Sequence, residues 1–187
     1  MKLRRYRHLL TPISFLRLQS PDLPMYQWGL PIALAAVCLG SFYLLPVRPP
    51  VLTDNGLITT VNGLLNTLIG FYIAALAAIA TFANKTLDLP MKGRALTIRV
   101  YREGEPTEEA VTRRRFLVIL FGYCAFLAIL LFAFGVMSLM VAPSFANVRL
   151  AVALQFGWLA LYFAMCASLL VVTLLGLHYL IDRMHRE

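Results

Sequence analysis

Four long stretches of this chain contain no Asp, Glu, Lys or Arg: Leu23–Val47, Asn55–Asn84, Phe116–Val148 and Leu150–Ile181. About 20 apolar residues are enough for a helix to cross the hydrocarbon core of a bilayer. In that core no water is present to satisfy backbone N–H and C=O groups, so a single crossing segment must be helical. The pattern predicts an all-α fold: an integral membrane four-helix transmembrane bundle with a small loop element. Hydrophobic residues make up 60% of the 187 residues, and the mean hydropathy of +0.75 excludes an ordinary soluble domain. The chain divides into a basic lead-in (1–26), spans one and two (27–83), a central loop (84–115), and spans three and four with a short tail (116–187).

The placement of charge predicts topology. Of the 17 lysines and arginines, all but Arg48 and Arg149 lie in the lead-in, the central loop or the tail. The positive-inside rule then puts both termini and the central loop in the cytoplasm. Attraction to anionic headgroups is a secondary reading of the same charge. No nucleic-acid motif accompanies it, so no direct nucleic-acid binding is expected. The first apolar stretch begins late for a signal peptide and is not followed by a small-residue cleavage site, so it reads as a retained span.

Each span has its own character. In the lead-in, Leu9, Ile13 and Leu16 share a helical face, as in a short interfacial helix, while Pro12, Pro21 and Pro24 prevent one long helix. Tyr26 and Trp28 suit an aromatic belt at the start of span one, which runs from Trp28 to Leu45. Span two, Leu57 to Phe82, carries a stripe at helical spacing: Thr59, Asn62, Gly63, Asn66, Thr67, Gly70, Ala74, Ala77, Ala78 and Thr81. Small residues let helices approach closely in lipid, and Asn hydrogen-bonds across the contact. An Asn facing lipid would leave its amide unsatisfied. Asn62, Gly63, Asn66 and Gly70 are therefore read as facing an oligomer or bundle contact, or the lumen of a pore. Span three, Phe116 to Val141, ends at Pro143; span four, Arg149 to Arg183, follows closely enough to form an antiparallel hairpin and is longer than the bilayer core. Gln155 near its outer end is expected to face inward.

In the central loop, Leu96, Ile98 and Val100 alternate with Thr97, Arg99 and Tyr101, the period of a strand. A lone strand is unstable and needs a hairpin mate, a symmetry mate or a partner protein. Leu96, Ile98, Val100, Arg99 and Arg102 are read as a partner-docking segment. Thr107 is expected to cap the third helix, with Glu108 and Glu109 in its first turn, and Arg113, Arg114 and Arg115 to mark the headgroup crossing.

No catalytic or cofactor motif is present, so no enzyme, cofactor or metal is expected. Cys38, Cys124 and Cys166 lie in apolar stretches and lack metal-ligand spacing. His178 and His185 could share a helix face, but two ligands do not make a zinc site.

The run Leu68-Ile-Gly-Phe-Tyr-Ile-Ala-Ala-Leu-Ala-Ala-Ile-Ala-Thr-Phe82, then Thr112-Arg-Arg-Arg-Phe-Leu117 and Phe121-Gly-Tyr-Cys-Ala-Phe126, resembles the four-span membrane subunits of bacterial anti-phage defence loci of the Kiwa type. The resemblance covers residues 57–130 and has no catalytic motif. It implies a homo-oligomer of the bacterial inner membrane, a tetramer being one such assembly, coupled to a cytoplasmic DNA-binding effector. The expected function is thus a scaffold or sensor subunit in defence; the alternative is a pore-forming effector that depolarises the membrane.

Overall fold

The computed structural model describes residues 11–19, 23–46, 50–53, 55–81, 97–102, 105–141 and 151–184. Among the described residues, four helices are long and apolar enough to cross a membrane, as expected of a multi-pass membrane protein. They are α1 (Leu30–Leu44), α2 (Leu57–Thr81), α3 (Arg113–Val141) and α4 (Ala151–Met184). A π-helical turn, Met25–Gly29, leads into α1, so the first span begins before Trp28.

Local sequence explains the helix ends. Pro31 is the second residue of α1, directly after the π-helical turn in which the Leu30 N–H donates to the Met25 carbonyl. A proline within a helical run has no N–H to give the preceding turn, and a widened π-turn lies just ahead of it. Leu45 turns extended (φ −65°, ψ 130°) because Pro46 follows and disfavours a helical predecessor. The start of α2 is closed by the preceding loop: the N–H groups of Leu57 and Ile58 donate to the carbonyls of Pro50 and Val51. That turn requires Gly56, since a Cβ there would lie 2.7 Å from the Val51 carbonyl oxygen.

α2 packs on α3, α3 also packs on α4, and α4 packs on α1. All three contacts are antiparallel. Tyr72 meets Phe121 while Asn62 meets Gly135; Phe116 meets Tyr179 while Phe134 meets Trp158; Phe42 meets Phe163 and Tyr43 meets Phe156. Spans three and four therefore form the predicted hairpin. α3 is the most enclosed helix: Leu117, Leu120, Phe121, Cys124, Ala128 and Leu131 are buried at spacings of one, three and four. α1 fully buries only Pro31 and Ala35; Leu34, Leu39 and Phe42 are half-buried, and its remaining residues are exposed, as suits a helix that is apolar all round.

Polar groups tie the apolar core together. The Tyr72 hydroxyl and Thr173 Oγ1 are 2.6 Å apart, joining α2 to α4, and Thr173 Oγ1 also lies 2.6 Å from the Leu169 carbonyl. The Tyr123 hydroxyl and Ser168 Oγ share a 3.2 Å hydrogen bond between α3 and α4. Such contacts hold helices together where apolar side chains gain nothing by leaving lipid.

Outside the helices lies a three-stranded antiparallel sheet, β1 (Leu18–Gln19), β2 (Thr97–Arg102) and β3 (Glu105–Ala110), in that order. The strand predicted around Ile98 is present, and it finds a hairpin mate within its own chain. β3 pairs with it from Thr97↔Ala110 to Arg102↔Glu105, and β1 pairs Leu18 with Ile98 and Gln19 with Thr97. The lead-in and the central loop are therefore at the same end of the bundle, as the charge pattern requires. Leu96 lies outside the described residues, as do Leu9 and His185.

One expectation is corrected here. Thr107 does not cap α3; it pairs with Val100 in β3, and the helix begins at Arg113. The cap is Thr112, whose Oγ1 accepts from the Arg115 N–H at 3.3 Å. The helix-forming glutamates of residues 105–109 are drawn into a strand because β2 needs a mate for its backbone groups. In the lead-in, Thr11–Arg17 forms a 3-10 helix whose buried residue is Phe15, while Ile13 and Leu16 are only half-buried.

Candidate functional site

The face of α2 turned away from α3 is the clearest candidate. The buried residues of α2, on its other side, are Ile58, Asn62, Leu65 and Tyr72. Thr59, Gly63, Asn66, Gly70, Ala74, Ala77 and Thr81 are all exposed. At 100° per residue these fall within a strip about 80° wide that follows the helix for about 33 Å. That length matches the hydrocarbon thickness of about 30 Å. Every side chain on the strip is small or polar.

The polar groups on this strip differ in how they are satisfied. Thr59 Oγ1 donates to the Thr53 carbonyl at 3.0 Å, and Thr81 Oγ1 donates to the Ala77 carbonyl at 2.9 Å. The Asn66 carboxamide has no hydrogen-bond partner among the described residues. It lies within about 5 Å of the helix midpoint along the axis, the depth of the hydrocarbon core for a helix that crosses a bilayer.

The predicted group of Asn62, Gly63, Asn66 and Gly70 is divided between two faces. Gly63, Asn66 and Gly70 share the exposed strip. Asn62, about 40° from Asn66 on the helical wheel, is 8% exposed and faces Gly135 of α3. A Cβ on Gly135 would lie 2.5 Å from Asn62 Oδ1 and 2.8 Å from Nδ2. Gly135 therefore makes room for the amide, and Oδ1 is buried there without a hydrogen-bond partner. In the sequence, a glycine in an otherwise apolar span such as Gly135 is a signal of close approach.

The predicted docking segment is also altered. β2 is the central strand, so Ile98 is flanked by β1 and β3, and strand addition beside it is already accomplished within the chain. Among the described residues, the outer sides of β1 and β3 have no strand partner, and β1 does not reach past Ile98, so Arg99–Arg102 are paired by β3 alone. In register, Arg99 is the partner of Glu108 and Arg102 that of Glu105.

Of the arginines read as headgroup markers, Arg114 has a structural role as well. Its Nη1 donates to the Ile79 carbonyl at 2.8 Å, satisfying a carbonyl in the last turn of α2. A cation at that end also complements the helix dipole. Among the described residues no group of His, Cys, Asp and Glu is arranged to hold a metal ion. No protein-family model, no curated protein and no solved structure matches this chain.

Proposed function

We propose that this chain is the repeating subunit of an oligomeric membrane scaffold, assembled through the exposed strip of α2 and presenting its three-stranded sheet to a cytoplasmic partner. Asn66 carries this reading. A carboxamide near the middle of a bilayer needs hydrogen-bond partners, and another copy of the same strip offers both a donor and an acceptor. Gly63, Gly70, Ala74 and Ala77 would let the two backbones approach closely enough for the amides to meet. The biological setting, a sensor or scaffold in anti-phage defence at the inner membrane with a DNA-binding effector as partner, comes from the resemblance of residues 57–130.

The pore reading draws on the same face. A ring of α2 helices would line a lumen with Thr59 and Asn66 and no charge, giving little ion discrimination.

The test compares the wild type with Asn66→Leu, using Phe71→Leu on a different exposed face as control. Interhelical hydrogen bonds contribute about 0.6–1.7 kcal/mol each, so each bond lost weakens association about 3- to 20-fold. Mass measured in mild detergent against protein concentration should show weaker assembly for Asn66→Leu and none of that change for Phe71→Leu. Equal masses for all three proteins reject the scaffold. Planar-bilayer conductance that is lost in Asn66→Leu would select the pore. Phage protection that depends on this chain but survives Asn66→Leu would separate defence from assembly.

A further inference from the structure

The lead-in meets the bundle and the sheet within a few residues. Phe15 is fully buried, its ring 5.0 Å from that of Tyr123 on α3. Tyr123 in turn bonds to Ser168 on α4. The Phe15 carbonyl accepts from Gln27 Nε2 at 2.8 Å, at the approach to α1. Leu18, one turn further along, is 4% exposed and pairs with Ile98 of β2. Phe15 thus contacts two helical segments of the bundle directly and reaches a third through Tyr123, while its near neighbour forms the third strand of the sheet.

Short 3-10 segments have weaker hydrogen-bond geometry than α-helices, so their position depends on what their side chains grip. Among the described side chains of Thr11–Arg17, Phe15 is the one that is buried. A two-stranded hairpin is marginal by itself, and a third strand adds to its stability. β1 is held by the buried Leu18 of its own and by Phe15 in the segment before it, both in the same core cluster.

We propose that Phe15 is a latch through which the α3–α4 interface controls the order of the sheet. Docked beside Tyr123, it keeps β1 against β2 and completes the sheet. Released, it lets β1 leave, and the β2–β3 hairpin loosens. A rearrangement of α3 against α4 that moves Tyr123 is thereby passed to the sheet, and a partner that captures the completed sheet favours the docked bundle. The use of the latch in signalling rests on the sheet being the partner-facing surface, but the latch itself is a property of this chain alone.

Amide hydrogen exchange of the full chain in lipid nanodiscs tests it. Phe15→Ala should speed exchange at Thr97–Arg102 and Glu105–Ala110 at least tenfold. So should Tyr123→Ala, although Tyr123 lies on a transmembrane helix and not in the sheet. Phe132→Ala, on an exposed part of α3, should leave these amides unchanged. A disulfide between Leu18→Cys and Ile98→Cys, which are direct cross-strand partners, should restore slow exchange in the Phe15→Ala background. The proposal is overturned if either Phe15→Ala or Tyr123→Ala leaves the sheet unchanged, or if the disulfide fails to restore it. It is also overturned if α3 amides accelerate as much as those of the sheet, because Phe15 would then hold the bundle together and not a latch. The mass of the same samples should remain that of the wild type, which separates failure of the latch from failure of assembly through α2.

Discussion

Gly135→Ala places a methyl group against the Asn62 amide. Its carbon would lie 2.5 Å from Oδ1, 2.8 Å from Nδ2 and 3.0 Å from Cγ, whereas ordinary contact begins at 3.4 Å. The shortfall is nearly an ångström on a planar group, so either the Asn62 side chain leaves its rotamer or α2 moves off α3. A side chain about 30° off its rotamer costs about 0.5–1.5 kcal/mol, and overpacking a well-filled core costs about 1–3 kcal/mol. The upper part of that range is expected, because α2 is held to this region along a contact that also includes Leu65 and Tyr72. Asn62→Ala should cost far less than a typical core truncation, since it also removes a buried Oδ1 that has no hydrogen-bond partner. The double mutant should then resemble Asn62→Ala, giving a coupling of at least about 1 kcal/mol between two residues in direct contact. Reversible unfolding in mixed micelles, followed by the fluorescence of Trp158, measures all four proteins. Additive losses, or a Gly135→Ala protein as stable as the wild type, would refute the argument that this glycine exists to admit the amide.

Tyr72→Phe removes the 2.6 Å bond to Thr173 and should cost about 0.6 kcal/mol, with about 1.7 as the upper bound for such bonds in membranes; the same unfolding titration measures it. Thr112→Val should cost about 1 kcal/mol through loss of the α3 cap, while Thr107→Val should shift stability by less, because Thr107 lies in a strand; amide exchange at Arg115 distinguishes the two. Gly176→Ala brings a methyl 2.7 Å from Leu120 Cδ2. That atom is the end of a flexible side chain, so the loss should be smaller than for Gly135→Ala.

The four spans were legible because freedom from charge over a bilayer's width is a cooperative signal that no neighbouring element overrides. The strand around Ile98 was legible from its period of two. Its partners were not: β1 is two residues that follow the helical stretch Thr11–Arg17, too short to carry a period of their own, and β3 comes from glutamates that favour a helix start. In β3, backbone hydrogen-bond demand outweighed local propensity. Asn62 and Asn66 looked equivalent because they are adjacent on the wheel. The boundary between the buried and exposed faces falls between them, and its position is set by Gly135 on another helix. Arg114 carried two messages, a topology signal that sequence could read and a cap on α2 that depends on tertiary contact.

The direct measurement of assembly through α2 is cysteine cross-linking in native membranes, with Cys38, Cys124 and Cys166 first replaced. Single cysteines are placed along α2, one per variant, at Gly63, Gly70, Ala74 and Ala77 on the strip and at Leu64 and Phe71 on a different exposed face. If two copies meet along the strip, oxidation should give covalent dimers from the first set and not from the second, with a helical period. Dimers from Leu64 and Phe71 without dimers from the strip, or no dimers at any position, would contradict assembly through this face.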